Sequence, residues 1–499
     1  MSFDVIIVGS GATGSWAAKL LTESGLTVLL LEAGPPVAAV ASGPTANGAS
    51  DPVRQAVQAQ CYAFNAETRH LFVDDIDNPY ETHSETPFAW IRMRLVGGRT
   101  RLWHRVVLRM SDRQFKAASR DGFGVDWPIS YADLQPYYDR VERFLCVSGI
   151  VAHLEEVPDG PFVPVALSAA ARKFQQAIEI EWPGRRVTAL RRASCVSGVG
   201  SYPACSAGVA LADAEATSRL TLRPHSVVSN ILSGRGGRRA QGVEYVDCKS
   251  GVSHEAYGRA VVLCASTIET TRILLNSTSH WHPGGIGNCN GLLGRYLSDH
   301  ICGVSATGLR SGECGAASDF YVPNFRNLGG DGAAFLRGYG VQGYFTPKRG
   351  AVTECTLVCF GEMLTRPENT VTLSRQRDRW GIPAAHLECH LSANEVAMAE
   401  DQASEVAQML RRTGFELTTT TGLRPLGCSM HEMGTARMGA DPRSSILNSY
   451  NQCWEMPNLF VTDGAAFPST GFQNPTLTMM ALTGRACDYL VGEFRRGAW

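Results

Sequence analysis

Three glycines near the start of the sequence are spaced for phosphate binding. Gly9, Gly11 and Gly14 lie between the strand-like residues 3–8 and a helical stretch over 15–24. The first glycine permits a tight turn, the second lets a pyrophosphate approach the backbone, and the third lets helix and strand pack closely. Anionic oxygens would then meet free N–H groups at a helix start. The spacing predicts a dinucleotide site, although a plain glycine turn between packed elements has the same pattern.

An acidic residue ends the second strand-like run. Glu32 follows residues 26–31, where a carboxylate can accept hydrogen bonds from a ribose diol. It would repel the phosphorylated ribose of NADP. The pattern therefore favours FAD or NAD and does not distinguish between them.

A second group of polar residues lies near the end of the sequence. Asn474-Pro475 enters a helical pattern, so the N–H groups that follow, beginning with Thr476, lack intrahelical partners. Such a helix end would stabilise charge near the N1–C2 edge of a reduced isoalloxazine. Asp463 ends a strand-like run and Gly464 follows, which suits a second contact with ribitol or phosphate. Taken singly, each residue also fits a helix cap, a strand end or a turn.

The elements that must position these residues are readable from the sequence. Residues 3–32 read as a βαβ unit with parallel strands. Ser130 is a predicted N-cap for a helix over 131–145. Residues 310–425 carry closely spaced β-branched and turn signals, interrupted by an amphipathic helix over 393–413, and predict an antiparallel sheet. A strand over 458–463 and a helix over 476–491 complete the chain.

Composition excludes several classes of protein. The chain has 499 residues, 44% hydrophobic and 19% charged, with a net charge of −1, which is an ordinary globular composition. No strong field favours nucleic acid or an anionic membrane, and no apolar run is long enough to span one. The 15 cysteines include no CxxC pair, and no secretory signal is visible. We expect reduced thiols, with Cys195 and Cys205 unpaired, and a cytoplasmic location.

From end to end the sequence resembles the glucose-methanol-choline (GMC) oxidoreductase family. The motifs that carry the resemblance are FDVIIVGSGATG (3–14) with Glu32, VGGRTRLW (96–103), DWPISYADLQPYY (126–138), VVLCASTIETTRILLNS (261–277), GRYLSDH (294–300), HEMGTARMG (431–439), NLFVTDG (458–464) and NPTLT (474–478). The implied fold is α/β: a doubly wound, Rossmann-like FAD-binding domain over 1–145, 200–310 and 430–499. An antiparallel-sheet substrate domain over 146–199 and 311–429 would be inserted into it.

The resemblance implies an FAD enzyme that oxidises the CH–OH group of an alcohol. The active-site histidine of the family falls on His431 and its partner residue falls on Asn474. Oxidation of an alcohol needs a base for the hydroxyl proton and a hydride acceptor, here flavin N5. Asn474 would hold the substrate oxygen. Against this stands the general rule that a histidine is more often structural than catalytic.

Other positions follow from the same resemblance. It places Gly97, Gly98, Trp103 and His104 beside the flavin, with His104 either facing substrate or packing. Leu102 stands where pyranose oxidases have a flavin-linked histidine, which predicts dissociable FAD. Ser266 replaces a usual glycine, which puts close approach of the backbone to the cofactor in doubt there.

The motifs favour a sugar, glycoside or aminoglycoside as substrate, with O2 or another compound as electron acceptor. Glu354 and Glu362 could meet a cationic sugar. His386, Glu388 and His390 share one face of a predicted strand, but a hydrogen-bonded strand explains them better than a metal site. The rival functions are a non-sugar alcohol oxidase or dehydrogenase of the same family, an NAD-dependent dehydrogenase and a non-catalytic flavin-binding electron-transfer protein.

Overall fold

A βαβ unit opens the fold, as the sequence predicts. The β-branched residues that precede Gly9 form a strand over Ser2–Val8, and Gly11 is the N-cap of a helix over Ala12–Glu23. The next strand, Val28–Leu31, pairs parallel with the first. The structure, a computed structural model, describes residues 2–36, 53–194, 206–312, 315–323 and 334–498. The expectation for Cys195 and Cys205 lies outside these ranges.

The described strands and helices are numbered in chain order. The strands are β1 Ser2–Val8, β2 Val28–Leu31, β3 Glu81–Thr82, β4 Val147–Gly149, β5 Val163–Pro164, β6 Thr188–Ala189, β7 Arg192–Ala193, β8 Leu220–Arg223, β9 Ser226–Ser233, β10 Ala240–Asp247, β11 Ser253–Leu263, β12 Arg295–Ser298, β13 Ser305–Ser311, β14 Ser318–Val322, β15 Tyr339–Lys348, β16 Val352–Gly361, β17 Thr370–Arg377, β18 Pro383–Glu388, β19 Glu416–Thr421, β20 Met433–Thr435 and β21 Leu459–Val461. The helices are α1 Ala12–Glu23, α2 Asp112–Phe115, α3 Ala117–Asp121, α4 Tyr131–Leu145, α5 Ala169–Glu181, α6 Ser206–Ala216, α7 Thr267–Asn276, α8 Ala393–Arg412 and α9 Thr476–Arg495.

Seven of the described strands form a sheet with a parallel centre. Its order is β8-β2-β1-β11-β10-β9, and β21 also pairs with β11. Strands β8, β2, β1, β11 and β21 are linked by parallel pairings, whereas β10 and β9 continue antiparallel. The carboxyl ends of the parallel strands meet at one edge, which is where ligands bind in open α/β sheets.

A second sheet, of six described strands, is antiparallel. Its order is β19-β13-β16-β15-β14-β6. Helix α8 packs on it and buries Met398, Val406 and Leu410 in a second hydrophobic core. Ser392 begins this helix with a capping box to Glu395. The expected antiparallel sheet and its helix are thus present, and the mixed α/β fold class is confirmed.

A third sheet brings two distant loops together. Strands β20, β12, β17, β18 and β3 lie side by side in that order. In it Ser298 of β12 pairs with Met433 of β20. Residues 299–300 and 431–432, which adjoin these two positions, are therefore held next to each other.

Two predicted helices hold the remaining end of the site. Ser130 caps α4 and forms a capping box with Asp133, and α4 packs against α9. Helix α9 begins at Thr476, with Pro475 as its N-cap. No helix within the described ranges is both long and apolar enough to cross a membrane.

Candidate active site

One elongated cavity of about 740 Å³ gathers most of the residues singled out in the sequence. It opens at the carboxyl ends of β1, β2 and β11. The predicted site residues that line it are Gly9, Gly11, Glu32, Gly98, Trp103, His104, His431, Asp463, Gly464, Asn474, Pro475 and Thr476. Gly14 and Gly97 are not among its lining residues.

The three glycines of the first motif are each required for a different reason. Gly9 has φ +94°, and a Cβ there would lie 2.4 Å from the carbonyl oxygen of Cys264. A Cβ on Gly14 would lie 1.8 Å from the carbonyl oxygen of Gly9, so this glycine serves helix–strand packing. A Cβ on Gly11 would meet no protein atom within 4 Å and would occupy the cavity instead.

Glu32 lies at the end of the cavity that the sequence assigns to ribose. Its carboxylate accepts hydrogen bonds from the Ser10 N–H (3.0 Å), the Ser10 hydroxyl (2.6 Å) and the Gly34 N–H (2.9 Å). Burial raises its pKa, although these hydrogen bonds act against the shift. The carboxylate is therefore fixed in place, and it keeps lone pairs for a ligand hydroxyl.

The start of α9 and the end of β21 form the opposite wall. Pro475 and Thr476 line the cavity at the first turn of α9, where N–H groups lack intrahelical partners. Asp463 accepts hydrogen bonds from Thr270 (2.5 Å) and the Ala465 N–H (3.0 Å), and burial raises its pKa to about 6. Both oxygens of Asp463 therefore have protein partners.

An ion pair joins the VGGRTRLW segment to residues 430–432, which we call the histidine loop. The Arg99 guanidinium donates to both oxygens of Glu432, at 3.0 and 2.8 Å, and to the carbonyl oxygen of Met430 at 3.0 Å. The Glu432 side chain is 2% exposed. Arg99 therefore holds the backbone carbonyl of the residue before His431 and the side chain of the residue after it. We call this interaction the Arg99–Glu432 clamp.

His431 is partly buried and has a second histidine beside it. Its ring Nδ1 lies 2.9 Å from Nδ1 of His300, and its backbone N–H donates to the Asp299 carboxylate at 3.1 Å. Burial, followed by His300 and Arg99, lowers the pKa of His431 well below its usual value. Burial likewise lowers the pKa of His300 to about 4. Both rings are thus neutral near pH 7.

Asn474 lines the same cavity as His431. Its Oδ1 accepts a hydrogen bond from Nε2 of Gln342 at 2.8 Å. The Tyr344 hydroxyl in turn donates to Oε1 of Gln342 at 2.9 Å. Gln342 and Tyr344 both lie on β15, so the antiparallel sheet contributes directly to this wall.

Aromatic side chains border the same end of the cavity. The His104 ring stacks on Tyr62, with centroids 4.1 Å apart, and the Tyr62 hydroxyl donates to the carbonyl oxygen of Leu102. The His104 side chain is exposed at one side, and partial burial of its ring, followed by Arg192, lowers its pKa. Phe360 and Tyr344 also line the cavity, and the Phe360 ring lies 5.9 Å from the His431 ring between centroids.

The residues fit a flavin dinucleotide on three counts. Gly11 leaves open the space that a pyrophosphate needs. The first turns of α1 and α9 offer unpaired N–H groups at two points of the cavity. The indole N–H of Trp103 is buried without a hydrogen-bond partner among the described residues, as expected of a donor that awaits a ligand.

Comparison with known proteins decides the family. The profile described as GMC oxidoreductase matches residues 3–302 with its amino-terminal part and residues 365–483 with its carboxy-terminal part. The chain belongs to the GMC oxidoreductase family. It is an FAD-dependent oxidoreductase that oxidises alcohols, as the sequence predicted.

Curated members of the GMC family match almost the whole chain. A 2-methyl-1,2-propanediol dehydrogenase from Mycolicibacterium austroafricanum is 31% identical over 98% of this chain and 95% of its own length. A paromamine 6'-oxidase from Streptomyces fradiae is 26% identical over 98% and 92%. Among solved structures, an FAD-dependent oxidoreductase from Chaetomium thermophilum is 16% identical, covers 99% of this chain and 100% of its own, and has a TM-score of 0.66.

Sequence reasoning missed two residues of the site, His300 and Gln342. His300 ends the GRYLSDH motif, which carried the family resemblance without pointing to its last residue. Gln342 is a buried amide in an otherwise apolar stretch of β15, and that contrast was the available signal. Neither shows its partner until the chain is folded.

The glutamates and histidines considered in the sequence for a metal or a cationic sugar lie outside the cavity lining. His386 contacts Glu81 (3.2 Å) and Glu388 (3.4 Å), whereas His390 lies beyond the end of β18. No His, Cys, Asp and Glu group suited to a metal is found among the residues that the structure describes. Glu354 pairs with Lys348, and Glu362 with buried Arg337, so neither glutamate favours a cationic sugar.

Proposed function

We propose that this enzyme oxidises a hydroxyl group of a sugar, glycoside or aminoglycoside, with His431 as the base and Asn474 as the group that holds the reacting oxygen. The observation that carries the proposal is their presence in one cavity that is also lined by hydroxyl, amide and aromatic side chains. These side chains are Tyr62, Ser305, Gln342, Tyr344, Phe360 and Thr421. Hydroxyl and amide groups suit the hydroxyls of a sugar, and aromatic rings suit its C–H faces.

The proton step follows from the state of His431. A neutral imidazole can accept the hydroxyl proton as the C–H bond breaks, and the low pKa of His431 keeps it neutral near pH 7. FAD, when bound, supplies the acceptor for the hydride. The Asn474 amide then donates a hydrogen bond to the oxygen, which gains negative charge in the transition state.

His300 sets the proton arrangement of His431 in this proposal. The backbone of Thr470 and Gly471 favours a proton on His300 against the larger effect of burial, although Nε2 of His300 makes no hydrogen bond to a described residue. If that proton lies on Nε2, Nδ1 of His300 can only accept, and Nδ1 of His431 must carry the donated proton. Nε2 of His431 then keeps its lone pair for the substrate.

A small diol is the second candidate substrate. The diol dehydrogenase is 31% identical to this chain, whereas the aminoglycoside oxidase is 26% identical. The site gives a diol the same base and the same amide. A diol would leave the aromatic border of the cavity without a contact, which is why the sugar is preferred.

The test is anaerobic reduction of the bound flavin. The purified protein is mixed with methyl β-D-glucopyranoside, paromamine or 2-methyl-1,2-propanediol, and bleaching near 450 nm is followed. We expect bleaching by at least one carbohydrate; bleaching by the diol alone would select the second candidate. Loss of FAD to the supernatant on acid precipitation is expected, because Leu102 offers no covalent link.

A variant separates catalysis from simple flavin binding. His431→Gln should keep its FAD and lose about 10²- to 10⁴-fold in the rate of flavin reduction. A variant that reduces flavin as fast as the wild type would overturn the role of His431. Measurement of H2O2 against reduction of an artificial dye identifies the electron acceptor.

A further inference from the structure

A chain of hydrogen bonds links Asn474 to the antiparallel sheet. Tyr344 donates to Oε1 of Gln342 at 2.9 Å, and Nε2 of Gln342 donates to Oδ1 of Asn474 at 2.8 Å. Gln342 is 3% exposed. The buried amide of Gln342 is thus held between Tyr344, on its own strand, and Asn474, which lines the cavity.

The geometry of β15 places the two donors on one face. Side chains two residues apart in a strand point the same way, so Gln342 and Tyr344 share a face. Their strand is paired on both sides, by β14 and β16. The network therefore rests on a rigid element, whereas Asn474 lies in the loop just before α9.

The surroundings of Tyr344 set the direction of the hydrogen bonds. The Arg192 guanidinium, held by Asp319 at 2.5 Å, lies 6.0 Å from the centre of the Tyr344 ring, and an arginine offers the phenol proton no acceptor. The acceptor that the phenol proton does find is Oε1 of Gln342, at 2.9 Å. Nε2 of Gln342 must then face Asn474, whose Oδ1 accepts, so that Nδ2 of Asn474 is left toward the cavity.

We propose that Gln342 is a positioning residue that fixes the amide of Asn474, so that Nδ2 donates to the reacting oxygen of the alcohol. The proposal rests on the role given to Asn474 in the proposed function. Without Gln342, the amide can turn by 180° and present Oδ1 to the substrate. An acceptor would then face an oxygen that is gaining negative charge, and the transition state would lose its donor.

A substrate-free experiment tests the orientation directly. Neutron diffraction from deuterated crystals of the FAD-loaded enzyme distinguishes the side-chain nitrogen of Asn474, which carries two deuterons, from its oxygen, which carries none. We expect two deuterons on the Asn474 atom that faces the cavity and none on the atom that faces Gln342. The opposite arrangement would overturn the proposal, whatever the substrate is.

Kinetics test the consequence. Gln342→Glu offers Asn474 a carboxylate that can only accept, which favours the turned amide; Gln342→Met removes the preference altogether. We expect Gln342→Glu to lower the limiting rate of flavin reduction about 10- to 100-fold, with Gln342→Met causing a smaller loss. The apparent Kd of the alcohol, measured with methyl β-D-glucopyranoside or 2-methyl-1,2-propanediol, should change little.

The matched control is Thr346→Val, on the same face of β15 but exposed and outside the cavity lining, which should leave both parameters unchanged. FAD absorbance and melting temperature report folding of each variant.

A double variant separates positioning from other roles. Asn474→Ala alone should lower the limiting rate about 10²-fold or more. In that background Gln342→Glu should cause no further loss, because its effect passes through Asn474. A full additional loss, or a loss confined to the Kd, would overturn the positioning role. If Asn474→Ala has no effect, the proposed role of Asn474 fails as well, and that result is obtained without any change at Gln342.

Discussion

Removal of one arm of the Arg99–Glu432 clamp should destabilise the histidine loop by a predictable amount. Arg99→Met leaves the Glu432 carboxylate, 2% exposed, without its cation. Breaking a buried pair in this way costs about 3–5 kcal/mol. Because the Arg99 side chain is 31% exposed, water can reach the carboxylate, and we expect the lower end of that range, about 3 kcal/mol.

That free energy converts into a measurable shift of melting temperature. Unfolding entropy of about 2.1 cal/mol/K per residue gives about 1 kcal/mol/K for 499 residues, so 3 kcal/mol corresponds to about 3 °C. Differential scanning calorimetry of the FAD-loaded protein measures this shift. The rate of flavin reduction in the folded, FAD-loaded variant should also fall, because Met430 and Glu432 flank His431. A loss of stability alone would leave that rate unchanged.

The control replaces both partners. Arg99→Met combined with Glu432→Met leaves no uncompensated charge and should recover most of the lost melting temperature. A single variant that melts with the wild type would refute the reasoning. So would a double variant that is as unstable as the single one.

Three further predictions concern the histidine, the glycine loop and a strained serine. The rate of flavin reduction should stay constant as the pH falls to 6.5 and decrease only at more acidic pH, because the pKa of His431 is lowered and its neutral form is the base. Stopped-flow rates that decrease already at or above pH 6.5 would contradict this. Gly11→Ala should fold normally, since its Cβ meets no protein atom, and should bind FAD about 10- to 100-fold more weakly, whereas Gly14→Ala should fail to fold. FAD titrations that are equal for Gly11→Ala and the wild type would count against the phosphate site. Ser266 has φ +78° and ψ 155°, a conformation that strains any residue except glycine. Ser266→Gly should relieve about 1–3 kcal/mol of this strain, lose about 0.4–1 kcal/mol to the greater entropy of the unfolded chain, and raise the melting temperature by about 1 °C. A lower melting temperature would contradict that.

Much of the local structure was predictable because its causes are local. The capping box at Ser130 fixed the start of α4, and Pro475 fixed the start of α9, as predicted. The glycine spacing predicted the turn between β1 and α1 for the same reason. The mixed pattern over residues 51–94 predicted no strand or helix. Their described part consists largely of turns and short 3-10 helices, which have no periodic pattern.

The sequence by itself determined the residue types available for chemistry and the local elements, because motif spacing and strand or helix patterns depend on neighbours along the chain. The family, and with it FAD rather than NAD, came from the resemblance of the whole set of motifs. Only the tertiary structure decided which side chains meet. His300 reaches His431 through the pairing of β12 with β20, and Gln342 reaches Asn474 through β15. Such contacts join residues more than a hundred positions apart, and no local pattern specifies the other partner.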